Sequence, residues 1–407
     1  MRVLLAPHGT RGDVQPMVAL AHALRARGHA VSFVAPSNFA DWIRSHGFDA
    51  TSDGIDVAAT LQAHGVQFDS FRWQMGYLTD VMIPALFENV PRAMPDADVI
   101  VGAGVQLAAA SVAERRDVPY ATAVFCPCAV PSGATPPPTV RTQTLPRWLN
   151  RVLWNVGLPL AGLALRRPLN AGRAKLGLPP LDSPFDQLMG ERLFVAADPD
   201  LAPVGEDVIE TAVATDAWIV EEPQVPLEPA LEAFLVRDPP PVYVGFGSMV
   251  EKRAAALTAA AIDAIRAVGR RALIGSGWAG LNRYAGPADD VFVADTLPHA
   301  EVFPRVDAVV HHGGAGTTTA AARAGVPQVV LPHILDQFYW VHRVEVLGIG
   351  PRGIPVDLVT ADVLSDRLDA AIGDQRIRER ASTIGRAVAA RNGVADAADH
   401  VERLARR

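Results

Sequence analysis

Along the first half of the chain, short apolar runs alternate with longer stretches whose apolar residues recur at helical spacing. "RVLLAP" reads as a strand, and "VQPMVALAHALRARG" as an amphipathic helix closed by Gly28. "AVSFVAP" predicts the next strand, with a helix around Phe39–His46; "DVIVGAG", "VQLAAASVAERRD" and "PYATAVF" then repeat strand, helix, strand. The second half does the same through "PPVYVGFGS", a helix near Leu257–Val268, "RRALIGSG", "DVFVADTL", "VDAVVHHGG" and "PQVVLPH". Beyond Val359 only helical patterns remain, ending in "VADAADHVERLARR". Such alternation predicts α/β architecture: two Rossmann-like, doubly wound parallel sheets. The acid- and proline-rich "IVEEPQVPLEPALEAFLVRDPPP" reads as a linker between them. The expected divisions are a first domain over residues 1–221, a linker over 222–240, a second domain over 241–388, and a closing helix over 389–407 that crosses back to the first domain. Two domains imply a deep cleft, with ligands at the carboxyl ends of the strands. Thr51–Phe87 and Cys126–Asn170 fit neither pattern and read as long irregular loops, which in a compact domain are usually functional.

Composition narrows the classes. A chain of 407 residues, 49% hydrophobic and 20% charged, is too long for one typical core. Its net charge of −7 argues against non-specific nucleic-acid binding. Cys126 and Cys128, in "FCPC", have the spacing of neither a redox pair nor a zinc site and read as small buried hydrophobes. The start reads as a strand, not a signal peptide, and the apolar stretch Val152–Leu165 falls short of the roughly 20 residues a spanning helix needs. A cytoplasmic location is therefore expected. Arg147–Arg167, with Trp148 and Trp154, is open to three readings: a lid, a membrane-surface contact, or a packing helix.

The candidate chemistry lies in the glycine turns. "HHGGAGTTTAAARAG" follows the apolar, β-branched run Val306–Val310 and opens a helix stripped of bulky side chains, so backbone N–H groups at its positive end are accessible to an anion. His312 and Thr317 add polar donors there. "GSGWAG" matches a dinucleotide pattern, but no helical periodicity follows it; "GAGVQLA" puts Leu107 where the third glycine belongs. In "PHGTRGDVQP", Asp13 is either a helix cap or a carboxylate facing the cleft as a general base. In "HILDQFYW", Asp336 either caps a helix or, with Gln337, holds sugar hydroxyls. Ser248 in "GFGSM" is placed to donate to a phosphate.

"GTRGDVQP", "PPVYVGFGS", "HHGGAGTT" and "DQFYW", in that order, give the chain a resemblance to inverting nucleotide-sugar glycosyltransferases of the GT-B fold. It is similar in particular to sterol glucosyltransferases and to the vancomycin-group enzymes. The resemblance implies an acceptor-binding first domain and a nucleotide-sugar-binding second domain. It implies Asp13 as the base, with Arg11 and Gly12 in the loop between donor and acceptor. His312, Gly314, Gly316, Thr317 and Ser248 would bind the diphosphate, and Asp336 and Gln337 the sugar. Leu297 and His299 would frame the nucleobase, with Trp278 an alternative wall. A carboxylate standing in directly as base means no His–Asp dyad need be sought, and an aspartate of ordinary acidity suffices. The implied reaction is a metal-free single displacement from UDP-glucose, or next a dTDP-deoxysugar, to a lipophilic hydroxyl compound, with no cofactor. Phe71, Trp73, Phe125 and Trp148 are the expected walls of the acceptor pocket. A sugar-nucleotide epimerase and a non-catalytic sugar-nucleotide binder are the alternatives.

Overall fold

A computed structural model describes residues 1–64, 71–185, 192–210, 212–221, 226–247, 253–277, 288–295 and 297–406. The first half builds seven strands: β1 (Arg2–His8), β2 (Ala30–Ala35), β3 (Asp49–Ser52), β4 (Val99–Gly104), β5 (Tyr120–Val124), β6 (Arg192–Ala196) and β7 (Ala212–Thr215). The second half adds β8 (Val242–Gly245), β9 (Ala272–Gly275), β10 (Val291–Ala294), β11 (Ala308–His311) and β12 (Gln328–Val330). They form two sheets, ordered β3-β2-β1-β4-β5-β6-β7 and β10-β9-β8-β11-β12. Every pairing within them is parallel. Parallel sheets bury both faces, which is why these strands are continuous apolar runs.

In each sheet the order reverses once, between β1 and β4 and between β8 and β11. Neighbouring crossovers leave opposite faces there, opening a crevice at the carboxyl edge. The register puts His8 beside Gly104 at one reversal and His311 beside Gly245 at the other.

One face of the first sheet packs under the helix Arg11–Ala26, whose Val14, Met17, Val18, Leu20 and Leu24 are fully buried. The closing helix Val394–Ala405 joins that same layer through Ala397, Ala398, Val401 and Leu404. His29 Nε2 pairs with Glu402 at 2.9 Å, and Arg27 with Asp399. The opposite face packs on Ile83–Ala93, Ala109–Arg116 and part of a 29-residue helix, Arg147–Lys175. Cys126 and Cys128, free and buried, lie with Leu201 and Ala202 against Tyr339, Trp340 and Val344, so the cysteines do act as small hydrophobes, at the seam between the halves.

The two stretches expected to be irregular are largely helical. The first holds β3 and helices at Val57–His64, Phe71–Tyr77 and onward to Ala93. The second ends in the Arg147–Lys175 helix, which Pro159 and Pro168 disguise because each removes one ladder donor without stopping the helix. Its inner face buries Trp154, Leu165 and Leu169, while Trp148, Val152, Leu160 and Leu163 face outward. Among the described residues no helix is long and apolar enough to cross a membrane.

Candidate active site

Asp13 lies at the third position of the helix Arg11–Ala26, not at its cap. Its Oδ2 accepts the Thr10 N–H at 2.8 Å and lies 3.4 Å from the Thr10 hydroxyl, so it satisfies an orphan amide by reaching back one turn. Glycines make the space: a Cβ at Gly9 would overlap the carboxylate, and one at Gly104 would lie 3.0 Å from Oδ1. The expectation of ordinary acidity is corrected here. Burial pushes Asp13 up to about 6, against the opposing pull of the Thr10 amide and the nearby His8. Part of the residue stays open to solvent.

Sequence reasoning passed over His8 and Asp53. They form a buried pair, Nδ1 to Oδ2 at 2.6 Å, with 2% and 0% of their side chains exposed. Asp53 Oδ1 also accepts the Ile55 N–H at 3.0 Å, which fixes the carboxylate. A His–Asp pair thus stands at the end of β1, behind the base. The partners are 45 positions apart, so only the pairing of β1, β2 and β3 brings them together.

At the other reversal the two histidines separate in role. His311 is fully buried; Gly313 N–H donates to its Nδ1 at 3.1 Å, which leaves Nε2 as the donor to Gln328 Oε1 at 2.9 Å. Burial holds it near 4, so it is a neutral brace for the turn. His312 turns the other way. Its Nδ1 is buried with no hydrogen-bond partner, and its ring lies between Gly247 and Gly314, where a Cβ on the latter would overlap Nε2. Burial, reinforced by His311 and His333, holds His312 well below the usual imidazole range. The helix Ala315–Arg323 starts at Gly314, and its first internal bond is Thr318 N–H to the Gly314 carbonyl at 3.0 Å. The amides of Ala315, Gly316 and Thr317 precede that bond and have no intrahelical acceptor. Gly316 is exposed and Thr317 partly so.

Asp336 occupies the cap position of the helix Gln337–Leu347, yet its side chain does not cap. Its Oδ2 instead accepts the indole N–H of buried Trp340 at 3.2 Å. Leu335, immediately before it, has φ +50, a strained conformation for a branched side chain and one that clusters at functional turns. Burial, then the charge of Asp13, pushes Asp336 up to about 6. Gln337 is buried and its Oε1 accepts the His333 and Ile334 amides at 2.7 and 3.1 Å, so that oxygen shapes the turn rather than facing a sugar.

Arg11 stacks on Trp42 at 5.0 Å and bonds Gln15 at 3.1 Å, and Gly12 is exposed beside it. His299 stacks on Phe303 with ring centroids 4.3 Å apart, and burial, then the Arg11 charge, holds it near 4. Leu297 packs at the edge of the same cluster. Across the crevice the halves therefore sense each other through Asp13 with Asp336 and through Arg11 with His299. Among the described residues the expected acceptor walls have separate surroundings. Phe125 packs edge-on against Trp218 in the first core at 5.7 Å, and Trp148 is 65% exposed on the outer face of its helix. Trp73 stacks on Tyr77 at 5.4 Å in a separate helical layer. Ser248, Trp278 and the side chain of Phe71 lie outside the described residues.

Two doubly wound sheets with their reversal points turned to one crevice define the GT-B architecture. The Glycosyltransferase family 28 N-terminal domain matches residues 3–130, and the Erythromycin biosynthesis protein CIII-like C-terminal domain matches residues 283–404. Vancomycin aglycone glucosyltransferase of Amycolatopsis orientalis is 40% identical, over 96% of each chain. Sterol 3-beta-glucosyltransferase of Eremothecium gossypii is 30% identical over 96% of this chain, which spans 33% of that longer protein. The crystal structure of the kitacinnamycin glycotransferase superimposes with a TM-score of 0.73 at 21% identity, covering 99% of this chain and 98% of the other. The chain belongs to the nucleotide-sugar glycosyltransferases of the vancomycin group. The epimerase and binding-only alternatives fall away, because these relatives are transferases.

Proposed function

We propose that the chain moves a glucosyl group, with inversion and without a metal, from a nucleoside diphosphate to a hydroxyl of a lipophilic natural product. The observation that carries this reading is the pairing of Asp13 with the amide-lined turn 312–317 across one crevice, in which Asp336 senses the Asp13 charge. The acceptor oxygen attacks the anomeric carbon, and its proton passes to the Asp13 carboxylate. The bond from that carbon to the diphosphate oxygen breaks, and the nucleoside diphosphate leaves on the opposite face. Negative charge grows on the diphosphate as it departs. The amides of residues 315–317 and the His312 ring, whose Nε2 lies beside Gly314, suit that charge and are already in place before reaction.

A neutral His312 donates one proton without the cost of burying a cation. The raised Asp13 supplies a base matched to near-neutral operation, and the buried His8–Asp53 pair ties the end of β1, where its turn begins, to the loop after β3. UDP-glucose is the favoured donor because both curated relatives above are glucosyltransferases. The test is a thermal-shift screen of UDP- and dTDP-sugars, followed by transfer assays with the donor that stabilises most. Asp13→Asn and His312→Ala accompany the wild type. Transfer by wild type that survives Asp13→Asn at full rate overturns the proposed base.

A further inference from the structure

The helix Arg147–Lys175 buries one face through Trp154, Leu165 and Leu169 and leaves the other open. Trp148, Val152, Val156, Leu160 and Leu163 follow one another at intervals of three or four residues, so they line up along a single side. Each of them is between 47% and 65% exposed. From Trp148 to Leu163 the stripe runs about 22 Å at the rise of an α-helix. Among the described residues no other helix or strand carries two large apolar side chains as open as these. Single exposed apolar residues are ordinary, whereas a continuous stripe marks a docking surface.

Charge selects the partner. From Val152 to Leu165 the helix has no charged side chain, and what flanks that span is basic: Arg147 and Arg151 before it, Arg166 and Arg167 after it. Asp207 pairs with Arg147 and Arg151 at 3.2 and 2.8 Å, and Asp182 with Arg166 at 2.8 Å. Four guanidinium groups thus meet two carboxylates, and the rim keeps a positive surplus on a chain whose net charge is −7. A second copy of the chain does not complement this rim. Laid antiparallel, two such stripes bring Arg151 toward Arg166 and Arg167; laid parallel, they bring each arginine pair onto itself. Either way like charges meet, which disfavours the contact. An anionic bilayer answers both features, since apolar side chains enter the acyl boundary while guanidinium groups meet headgroup phosphates. Trp148, at one end of the stripe, has the amphipathic ring that suits that boundary.

We propose that the outward face of the Arg147–Lys175 helix lies flat on a lipid bilayer rich in anionic headgroups, as a reversible peripheral contact. The inference goes beyond glycosyl transfer and does not depend on it, because neither Asp13 nor the 312–317 turn takes part. Where the acceptor is lipophilic, as proposed above, the contact puts the enzyme where such a compound concentrates.

Co-sedimentation of the full chain with vesicles tests it, using phosphatidylcholine alone and an equal mixture with phosphatidylglycerol. At low salt the chain binds the mixed vesicles about tenfold tighter, and about 0.5 M sodium chloride removes that preference. Leu160→Ser combined with Leu163→Ser weakens binding to the mixed vesicles at least about tenfold. Arg167→Gln weakens it about fivefold and leaves the phosphatidylcholine arm unchanged, which gives a second variant should the serine protein fold poorly. Both changes fall on exposed side chains, so the melting temperature stays at the wild-type value. A chain that stays in the supernatant with both vesicles overturns the proposal, as does binding that ignores phosphatidylglycerol or survives the serine changes. Light scattering without vesicles covers the other occupant: a dimer that the serine changes turn into a monomer assigns the stripe to self-association and overturns lipid docking. No donor or acceptor is present in these measurements, so their outcome is separate from that of the proposed function.

Discussion

At the scale of single residues, the Asp13 carboxylate accepts the Thr10 amide at 2.8 Å while burial raises its proton affinity to about 6. In free enzyme, kcat/KM should therefore fall about tenfold per pH unit below that value, since only the ionised form accepts a proton. Asp13→Asn should lower turnover by about 10²–10⁴-fold, erase that acid limb, and leave the nucleotide Kd within about twofold. Linkage gives a second readout. A carboxyl whose folded pKa exceeds its unfolded value of 3.8 makes the folded state bind more protons, so stability falls as pH rises from about 4 to about 6. Asn removes that penalty and can still accept from Thr10. The Asp13→Asn protein should melt higher than wild type at pH 8, and the two should converge near pH 4. His312→Ala acts on the other side of the crevice and should weaken nucleotide binding about 10–100-fold, with turnover falling alongside. An unchanged Kd would move the diphosphate elsewhere.

Elements explain why those residues stand where they do. The start of the Ala315–Arg323 helix is bare because its cap is Gly314, whose φ of −68 any residue could adopt. Glycine is needed there for space, not for backbone freedom, since a Cβ would overlap the His312 ring. Gly314→Ala should fold with little change in Tm yet lose about tenfold in nucleotide affinity, read by calorimetry, as the imidazole is displaced. Gly313 differs. Its φ of +87 and the proximity of Val330 Cγ1, 2.8 Å from a modest added methyl, make Gly313→Ala cost about 1–3 kcal/mol of stability in urea unfolding. The glycines and the helix start were legible in the sequence, because strand, turn and helix follow one another there within twenty residues or so. The division of labour between His311 and His312 was not. It depends on Gln328, which arrives from the neighbouring strand β12.

Across the whole molecule, the closing helix binds the second half to the first. It leaves the second half at Gly393, whose N–H donates to the Ala217 carbonyl at 3.0 Å and whose missing Cβ would overlap the Asp216 backbone. Gly393 has φ −77, so alanine there is penalised by collision with main chain alone. Gly393→Ala should lower stability by about 1–3 kcal/mol, seen as a lower urea midpoint. It should also lower glucosyl transfer, because the layer of Val401 and Leu404 on the first sheet is one of the ties between the halves. The seam around Cys126, Cys128 and Trp340 is another, and it lies directly beneath Asp336, whose carboxylate is held by the Trp340 indole.

Periodicity and turn chemistry, both properties of near neighbours in the chain, were enough to derive the parallel sheets, the crevice at their carboxyl edges and the anion turn. The order of motifs then marked the family. What the tertiary structure alone decided involves partners far apart in sequence. The His8–Asp53 pair, the raised pKa of Asp13 and Asp336, the orphan nitrogens of Gln106 and His312, and the placing of Phe125 on the first core and of Trp148 on an outer helix face all belong there. Each depends on burial and on contacts between separate strands, and desolvation is a property of a packed environment that no local pattern of residues carries.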